Sequence, residues 1–324
     1  MKKTLILAFA LTIVSTFSFK NLQAQTKEEA VLAFNSTLEL SKTDMAGAVA
    51  KMQEVVKMCT AIGKEADTLK MKATTVIPVW QYNVGNNLKN DKKFDLAMAA
   101  YEKSSEFAVT YGDDNIKEKS ASQLVLLYMG KGSTYYKADK ADSALLFLDK
   151  ALALNPDYSK AIFTKGQVYK KKGDNAKMLE NMQLAITTAT KTNDTVIIKA
   201  AKNMIGSSLN QEGIAAYNKK MYADAVTKLN SALEYGFKTK DLYYVLASSN
   251  NSLKKYDEAI TAANAGMAMD EQTNEKLARY YCEIAKAYEG KKDIGNACTN
   301  YKKAAYGSFA QFSNDKIKNV LKCQ

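Results

Sequence analysis

The chain has no histidine, two prolines, one tryptophan and a single arginine, Arg279, in 324 residues. Without histidine there is no His-based triad, no imidazole acid or base and no His metal ligand. So little proline argues against a turn-rich all-β fold and for long helices. Near-absence of arginine weighs against a specific nucleic-acid reader, because bidentate contacts to guanine and phosphate rely on that side chain. No nucleic-acid partner is expected. The four cysteines form no C-x-x-C pair, so no zinc pattern is present and no metal or cofactor is expected.

What the chain does have is apolar mass and lysine. Hydrophobic residues make up 47% and charged residues 25%, with a net charge of +12. That supports a large core and excludes disorder for most of the length, which suits two ordinary domains or one repeat array. The chain opens with Lys2 and Lys3, an apolar run from Leu5 to Val14, and a polar stretch ending Leu22-Gln23-Ala24-Gln25. This order predicts a signal peptide over 1–24, cut after Ala24. The run is too short to span a bilayer, and no cysteine stands near the cut to carry a lipid. Cleavage removes three lysines and leaves +9. The expected location is therefore periplasmic or extracellular, with no transmembrane segment in the mature chain.

A 34-residue period then emerges. Gly132 and Gly166 are 34 apart, as are Tyr135 and Tyr169, and Leu148 and Met182. The segment 206–239 with Gly213, Ala225, Leu229 and Ala232 is followed at the same period by 240–273 with Ala247, Ala259, Ala263 and Gly266. This pattern resembles the tetratricopeptide repeat family. That family places a small residue at position 8, Tyr at 11, Ala at 20, a large apolar residue at 24, Ala at 27 and often Pro at 32. Segment 125–158 supplies Gly132, Tyr135, Ala144, Leu148, Ala151 and Pro156 at those places. Another unit uses Ala285, Tyr288, Ala297, Tyr301 and Ala304, and another Gly85, Ala97 and Tyr101.

The resemblance implies an all-α fold: a right-handed α-solenoid of stacked antiparallel helix pairs, spanning 25–312. Its expected units are 78–111, 125–158, 159–192, 206–239, 240–273 and 278–311, after a degenerate unit at 27–63. A closing helix over 313–324, capped by Ser313 or Asn314 and carrying Ile317, Val320 and Leu321, would cover the last apolar face. The position-20 residues fall at 48, 97, 144, 178, 225, 259 and 297, so several intervals exceed 34. The extra length is expected in long helices over 64–90, 115–137 and 194–219, with Pro78 kinking the first or marking a helix start.

Candidate functional residues follow. Family arrays bind on the concave face, through positions 2, 5, 9, 12 and 13 of each first helix. Here that implies Tyr82, Asn86, Ser133, Tyr136, Phe163, Gln167, Asn210, Tyr217, Tyr244, Ser248 and Asn251. Aromatic rings alternating with amides and hydroxyls suit an extended peptide or another helix. No unit pairs Lys at position 5 with Asn at 9, as the family's two-carboxylate clamp requires. The expected function is a non-enzymatic interaction scaffold of the periplasm or cell envelope whose partner is a protein or peptide. The alternative is an envelope-associated scaffold that binds anionic lipid or glycan. It would use the lysines at the intra-unit turns: Lys89, Lys92, Lys93, Lys137, Lys140, Lys170–Lys172, Lys219, Lys220, Lys254, Lys255, Lys291 and Lys292. Interleaved acids at 91, 139, 174, 257 and 293 favour a plain solvated edge instead.

Other chemistry is thin. Gly130–Thr134 (GKGST) lacks the upstream glycine of a phosphate loop. Asp113-Asp114 and Asp270-Glu271 read as solvated turn acids. In an oxidising compartment Cys298 is paired with Cys323, pinning the closing helix, with Cys282 as a rival partner and four buried thiols as the other alternative. Asp67-Thr68-Leu69, Asp142-Ser143-Ala144 and Asp194-Thr195-Val196 resemble an Asp-Ser/Thr-aliphatic O-glycosylation acceptor, or else serve as helix caps.

Overall fold

The computed structural model describes residues 26–323, so the expected signal segment lies outside the described residues. Among these the secondary structure is helical: α1 (Lys27–Leu40), α2 (Met45–Ile62), α3 (Asp67–Asn90), α4 (Phe94–Tyr111), α5 (Asp114–Lys137), α6 (Ala141–Leu154), α7 (Ser159–Lys171), α8 (Asn175–Lys191), α9 (Thr195–Asn218), α10 (Tyr222–Glu234), α11 (Lys240–Ser252), α12 (Tyr256–Met267), α13 (Asn274–Gly290), α14 (Ile294–Ala304) and α15 (Ala310–Asp315). The chain divides into two compact units, Met1–Leu127 and Tyr128–Gln324. Each is an α-solenoid arrangement of consecutive helix hairpins.

The hairpins close on a seam of small residues. Gly213 of α9 faces Leu229 of α10, and Gly166 of α7 faces Met182 of α8. Ala144, Ala225, Ala259 and Ala297 are fully buried on the partner helices. Met178, which holds the same place in α8, is buried too. Where both facing positions are glycine or alanine, the helix axes approach closely enough for Leu148, Leu229 and Tyr301 to fill the space beside the seam. These three side chains are completely buried.

The inserted length is helical. α3, α5 and α9 each run 24 residues. Each starts ahead of the unit boundary implied by the repeat, at 67, 114 and 195 rather than 78, 125 and 206. Pro78 neither starts nor ends α3; it sits within it, buried. Its carbonyl accepts the Ser104 hydroxyl at 2.9 Å, and Ser104 in turn accepts from Ser120 at 3.1 Å. This buried relay ties α3, α4 and the first half of α5 in the first unit. The phosphate-loop lookalike at 130–134 lies inside α5.

Helix starts follow from capping. Thr26 and Glu29 form a reciprocal capping box on α1. Asp194 and Asp293 accept the N–H groups of Ile197 and Asn296, so Asp194-Thr195 does serve as a cap. Asp113 does the same for Ile116. Several hairpin turns place a non-glycine residue in the left-handed region: Lys92, Asp139, Lys220, Lys254 and Lys292, with φ between 56° and 65°.

The C-terminal segment differs from expectation. A short 3-10 turn over Gly307–Phe309 leads into α15, and a π-helical turn follows at Lys316–Val320. Ser313 is therefore no cap: it lies inside α15 with its side chain buried. Neither does Asn314 start the helix. The chain bends at Tyr306-Gly307, where Gly307 has φ +53°, and this sets the start at Ala310.

Two substitutions test the seam and the turns. A methyl at Gly213 would stand 2.7 Å from Leu229 and 3.4 Å from the Ala225 carbonyl. Gly213→Ala is expected to lose about 1–3 kcal/mol in urea unfolding. Lys254→Gly, at φ 61°, is expected to change stability in the opposite direction, by up to about 1 kcal/mol, by relieving left-handed strain.

Candidate functional site

In the second unit the first helices of successive hairpins lie side by side: α7 touches α9, α9 touches α11, and α11 touches α13. The second helices approach one another less, so the first helices form the inner layer of this unit. The candidate residues on α9 and α11 therefore share a face.

The structure binds four of them into one polar patch with residues of α13. The Tyr217 hydroxyl and Ser248 Oγ are 3.0 Å apart. Asn251 donates through Nδ2 to the Glu283 carbonyl at 2.9 Å and to its carboxylate at 2.8 Å. Glu283, almost wholly buried, also accepts from Lys286 Nζ at 2.8 Å. Tyr244 stands edge-on to Tyr280 with ring centroids 6.4 Å apart. Burial, and then the nearby Glu283 carboxylate, push the Tyr244 phenol up to about 12, so it stays a neutral donor. Two buried amide oxygens, Asn210 Oδ1 and Asn251 Oδ1, have no hydrogen-bond partner. Beside Asn251 is a cavity of about 480 Å³ lined by Ser248, Asn251, Tyr256, Glu283, Lys286 and Glu289 among others.

The remaining candidates are placed differently. In the first unit, Tyr82 lies 5.4 Å from the Tyr101 ring, and Asn86 accepts the Tyr101 hydroxyl at 2.7 Å. Both serve the packing of α3 on α4. In the second unit, Phe163 packs against the core between α7, α8 and α9. Lys171 Nζ sits 4.6 Å over the Tyr136 ring. Ser133 and Gln167 are half-buried.

Glu283, Lys286 and Glu289 were not among the sequence candidates. Lys286 and Glu289 occupy positions 9 and 12 of the last unit, counted from 278. Extending the same positions into that unit would have found them. Glu283, at position 6, has no such signal.

The reading of Asp270 as a solvated turn acid needs correction. It is buried, accepting from Lys240 at 3.1 Å and from Arg279 at 2.8 Å. Arg279, the chain's single arginine, also reaches Asp241 at 2.7 Å and stacks 4.7 Å over the Tyr280 ring. Its planar fork lets one side chain do all of this. Burial of Asp270 raises its pKa, but Lys240, the Glu271 N–H and Arg279 outweigh that and hold it at about 2.

The Lys-rich edge is partly committed. Lys171 and Lys172 pair with Asp139 and Asp142 of the preceding hairpin, and Lys291 pairs with Asp257. In each case the ion pair joins turns of neighbouring repeats. At the far end, Cys298 and Cys323 form a disulfide with Cα atoms 5.7 Å apart, while Cys59 and Cys282 are buried free thiols.

Against known families, the chain matches the tetratricopeptide repeat over residues 126–158, 159–191 and 278–306. These three segments are tetratricopeptide repeats. No match was found among curated protein sequences. Among solved structures, similarity extends to crystal structures of the MamA protein (22% identity, 61% of this chain and 97% of that one, TM-score 0.36). It extends also to YrrB, described as a tetratricopeptide protein with an unusual peptide-binding site (17% identity, 66% and 95%, TM-score 0.35). A tetratricopeptide repeat protein from Parabacteroides merdae aligns over 92% of this chain and all of its own (14% identity, TM-score 0.29). The tetratricopeptide segments 126–158 and 278–306 contain the Gly132–Leu148 seam and the Glu283–Lys286 pair respectively.

The Asp270 network makes a pH prediction. A carboxylate with a depressed folded pKa contributes stability that is present above its unfolded value near 4 and is lost as pH falls through about 2. Urea titrations of the chain are expected to show declining stability from pH 5 to pH 2. In Asp270→Asn that share of the decline should vanish, with a lower stability at neutral pH.

Proposed function

We propose that the chain is a non-enzymatic scaffold that holds an extended segment of a partner protein on the inner face formed by α9, α11 and α13. The observation that carries this reading is the patch of Tyr217, Tyr244, Ser248 and Asn251 on neighbouring first helices, with hydroxyl and amide groups among its rings. A peptide backbone supplies N–H donors at regular intervals, and tyrosine rings offer contact area at low entropic cost. The patch is held in place by Glu283 and by the Arg279–Asp270 network, so little ordering is needed on the scaffold's side.

The place of action we propose is the periplasm or another site outside the inner membrane. The n-region, h-region and Ala24 site of residues 1–24 support export. A disulfide fits an oxidising compartment. Among the described residues no helix is long and apolar enough to cross a membrane. The alternative surface for anionic lipid or glycan, the Lys-rich edge, is weakened by the three lysines already paired with aspartates of neighbouring repeats.

The test is capture of partners from native envelope extract, followed by calorimetry with a peptide mapped from the captured protein, at low and moderate salt. Tyr217→Ala/Tyr244→Ala is expected to weaken binding at least roughly tenfold, since buried aromatic contacts dominate such interfaces. Raised salt should change affinity little. Binding that ignores both substitutions and collapses with salt would replace the inner face with the Lys-rich edge.

A further inference from the structure

The segment after Gly307 is packed against residues of the inner layer. Lys316 Nζ pairs with the Glu289 carboxylate at 2.6 Å, and both side chains are largely shielded from solvent. The other Glu289 oxygen accepts the Tyr301 hydroxyl at 2.6 Å. Phe312 stands edge-on to Tyr301 with centroids 6.0 Å apart, and Lys286 Nζ lies 5.5 Å over the Phe312 ring. Lys286 and Glu289 also line the cavity beside Asn251. Phe312 and Lys316, one helical turn apart, thus engage two of the residues that line the cavity, Lys286 and Glu289, from outside it.

The way this segment is held is unlike the hairpins. It has a bend at Gly307, a π-helical turn over Lys316–Val320 and a left-handed residue at Lys322. Its Ser313 hydroxyl is fully buried with no hydrogen-bond partner, which disfavours the docked state. Ile317 and Leu321, themselves only partly buried, pack against the buried Cys282 and Tyr301 cluster. The fastener is the Cys298–Cys323 disulfide, both of whose cysteines are half-buried rather than enclosed.

We propose that this segment is a resident pseudo-ligand, and that opening the Cys298–Cys323 disulfide releases it. Its site, formed by Lys286, Glu289 and Tyr301, then takes an external helical segment bearing an aromatic residue and a lysine one turn apart. A dithiol supplies the two electrons and two protons: it leaves as its own disulfide, and Cys298 and Cys323 become thiols. The inference goes beyond the proposed peptide site and does not require it: the two share α13, but the contacts here are Lys286, Glu289 and Tyr301 rather than Tyr217, Tyr244, Ser248 and Asn251.

Two readouts test it on the mature chain. The first is mass-detected alkylation of Cys282, which lies beneath the segment, with buried Cys59 in the first unit as internal reference. Cys282 is expected to resist alkylation in the oxidised chain and to react at least roughly tenfold faster in Cys298→Ser/Cys323→Ser, with Cys59 unchanged. The second is anisotropy of a fluorescent peptide of sequence 307–321. It should bind the double variant at least roughly tenfold more tightly than the oxidised chain, and a Glu289→Gln change in the same background should abolish the gain. A peptide with Ala in place of its Phe312 and Lys316 should not bind. Equal alkylation and equal peptide binding in the two states would overturn the proposal. So would release without peptide binding, which would leave a purely structural closing segment. If Cys59 is exposed along with Cys282, the variant has unfolded; dithiol-treated wild-type chain then gives the same two readouts, with the same overturning results. Loss of the α9–α11 peptide site through Tyr217→Ala should leave both readouts unchanged.

Discussion

The close approach of paired helices is the constraint on which everything else depends. A single amphipathic hairpin of this size leaves one apolar face exposed, so it is stable only when stacked. Stacking at a regular distance demands a seam in which neither helix carries bulk. Gly213 against Leu229 and Gly166 against Met182 show how little room is left. Once the seam is set, the large side chains at Leu148, Leu229 and Tyr301 have one place to go, and the first helices line up as an inner layer.

That inner layer turns repetition into a site. Residues 31 to 38 apart in sequence become neighbours: Tyr217 with Ser248, Asn251 with Glu283, Arg279 with Asp241. No single hairpin holds any of these pairs. The patch is polar and rigid, with buried ion pairs behind it. The edge opposite the inter-repeat turns behaves differently. Its lysines neutralise aspartates of the adjacent repeat, and so contribute to register between neighbours as much as to an external field.

The end of the array shows what happens when stacking stops. An apolar last face needs a cover, and a helix that continued the repeat would only present a new one. Here the cover is irregular, with a bend, a short helix and a π-helical turn, clipped by a disulfide. It contacts Lys286 and Glu289 of the inner layer as well as the last hairpin's apolar face.

How much of this was written in the chain can be judged residue by residue. The 34-residue period, the small-residue seam and the three long helices are legible because they rest on local spacing. Gly132, Ala144 and Leu148 declare their places from their own neighbourhood, and uninterrupted helical periodicity over 194–219 needs no distant partner. The family resemblance is of the same kind. The solvent state of Asp270 was not legible, because its burial depends on Lys240 and Arg279 arriving from two other helices. Glu283 was missed for the same reason: its role comes from Asn251 of the preceding hairpin. Sequence preferred Cys323 as the partner of Cys298 over Cys282 or four free thiols, and the bend at Gly307 is followed by a segment that brings Cys323 to Cys298. Sequence by itself determines the repeating unit, since helix propensity and side-chain size act within a few residues. Tertiary structure decides which polar groups meet, since that depends on how far each hairpin is displaced against the next.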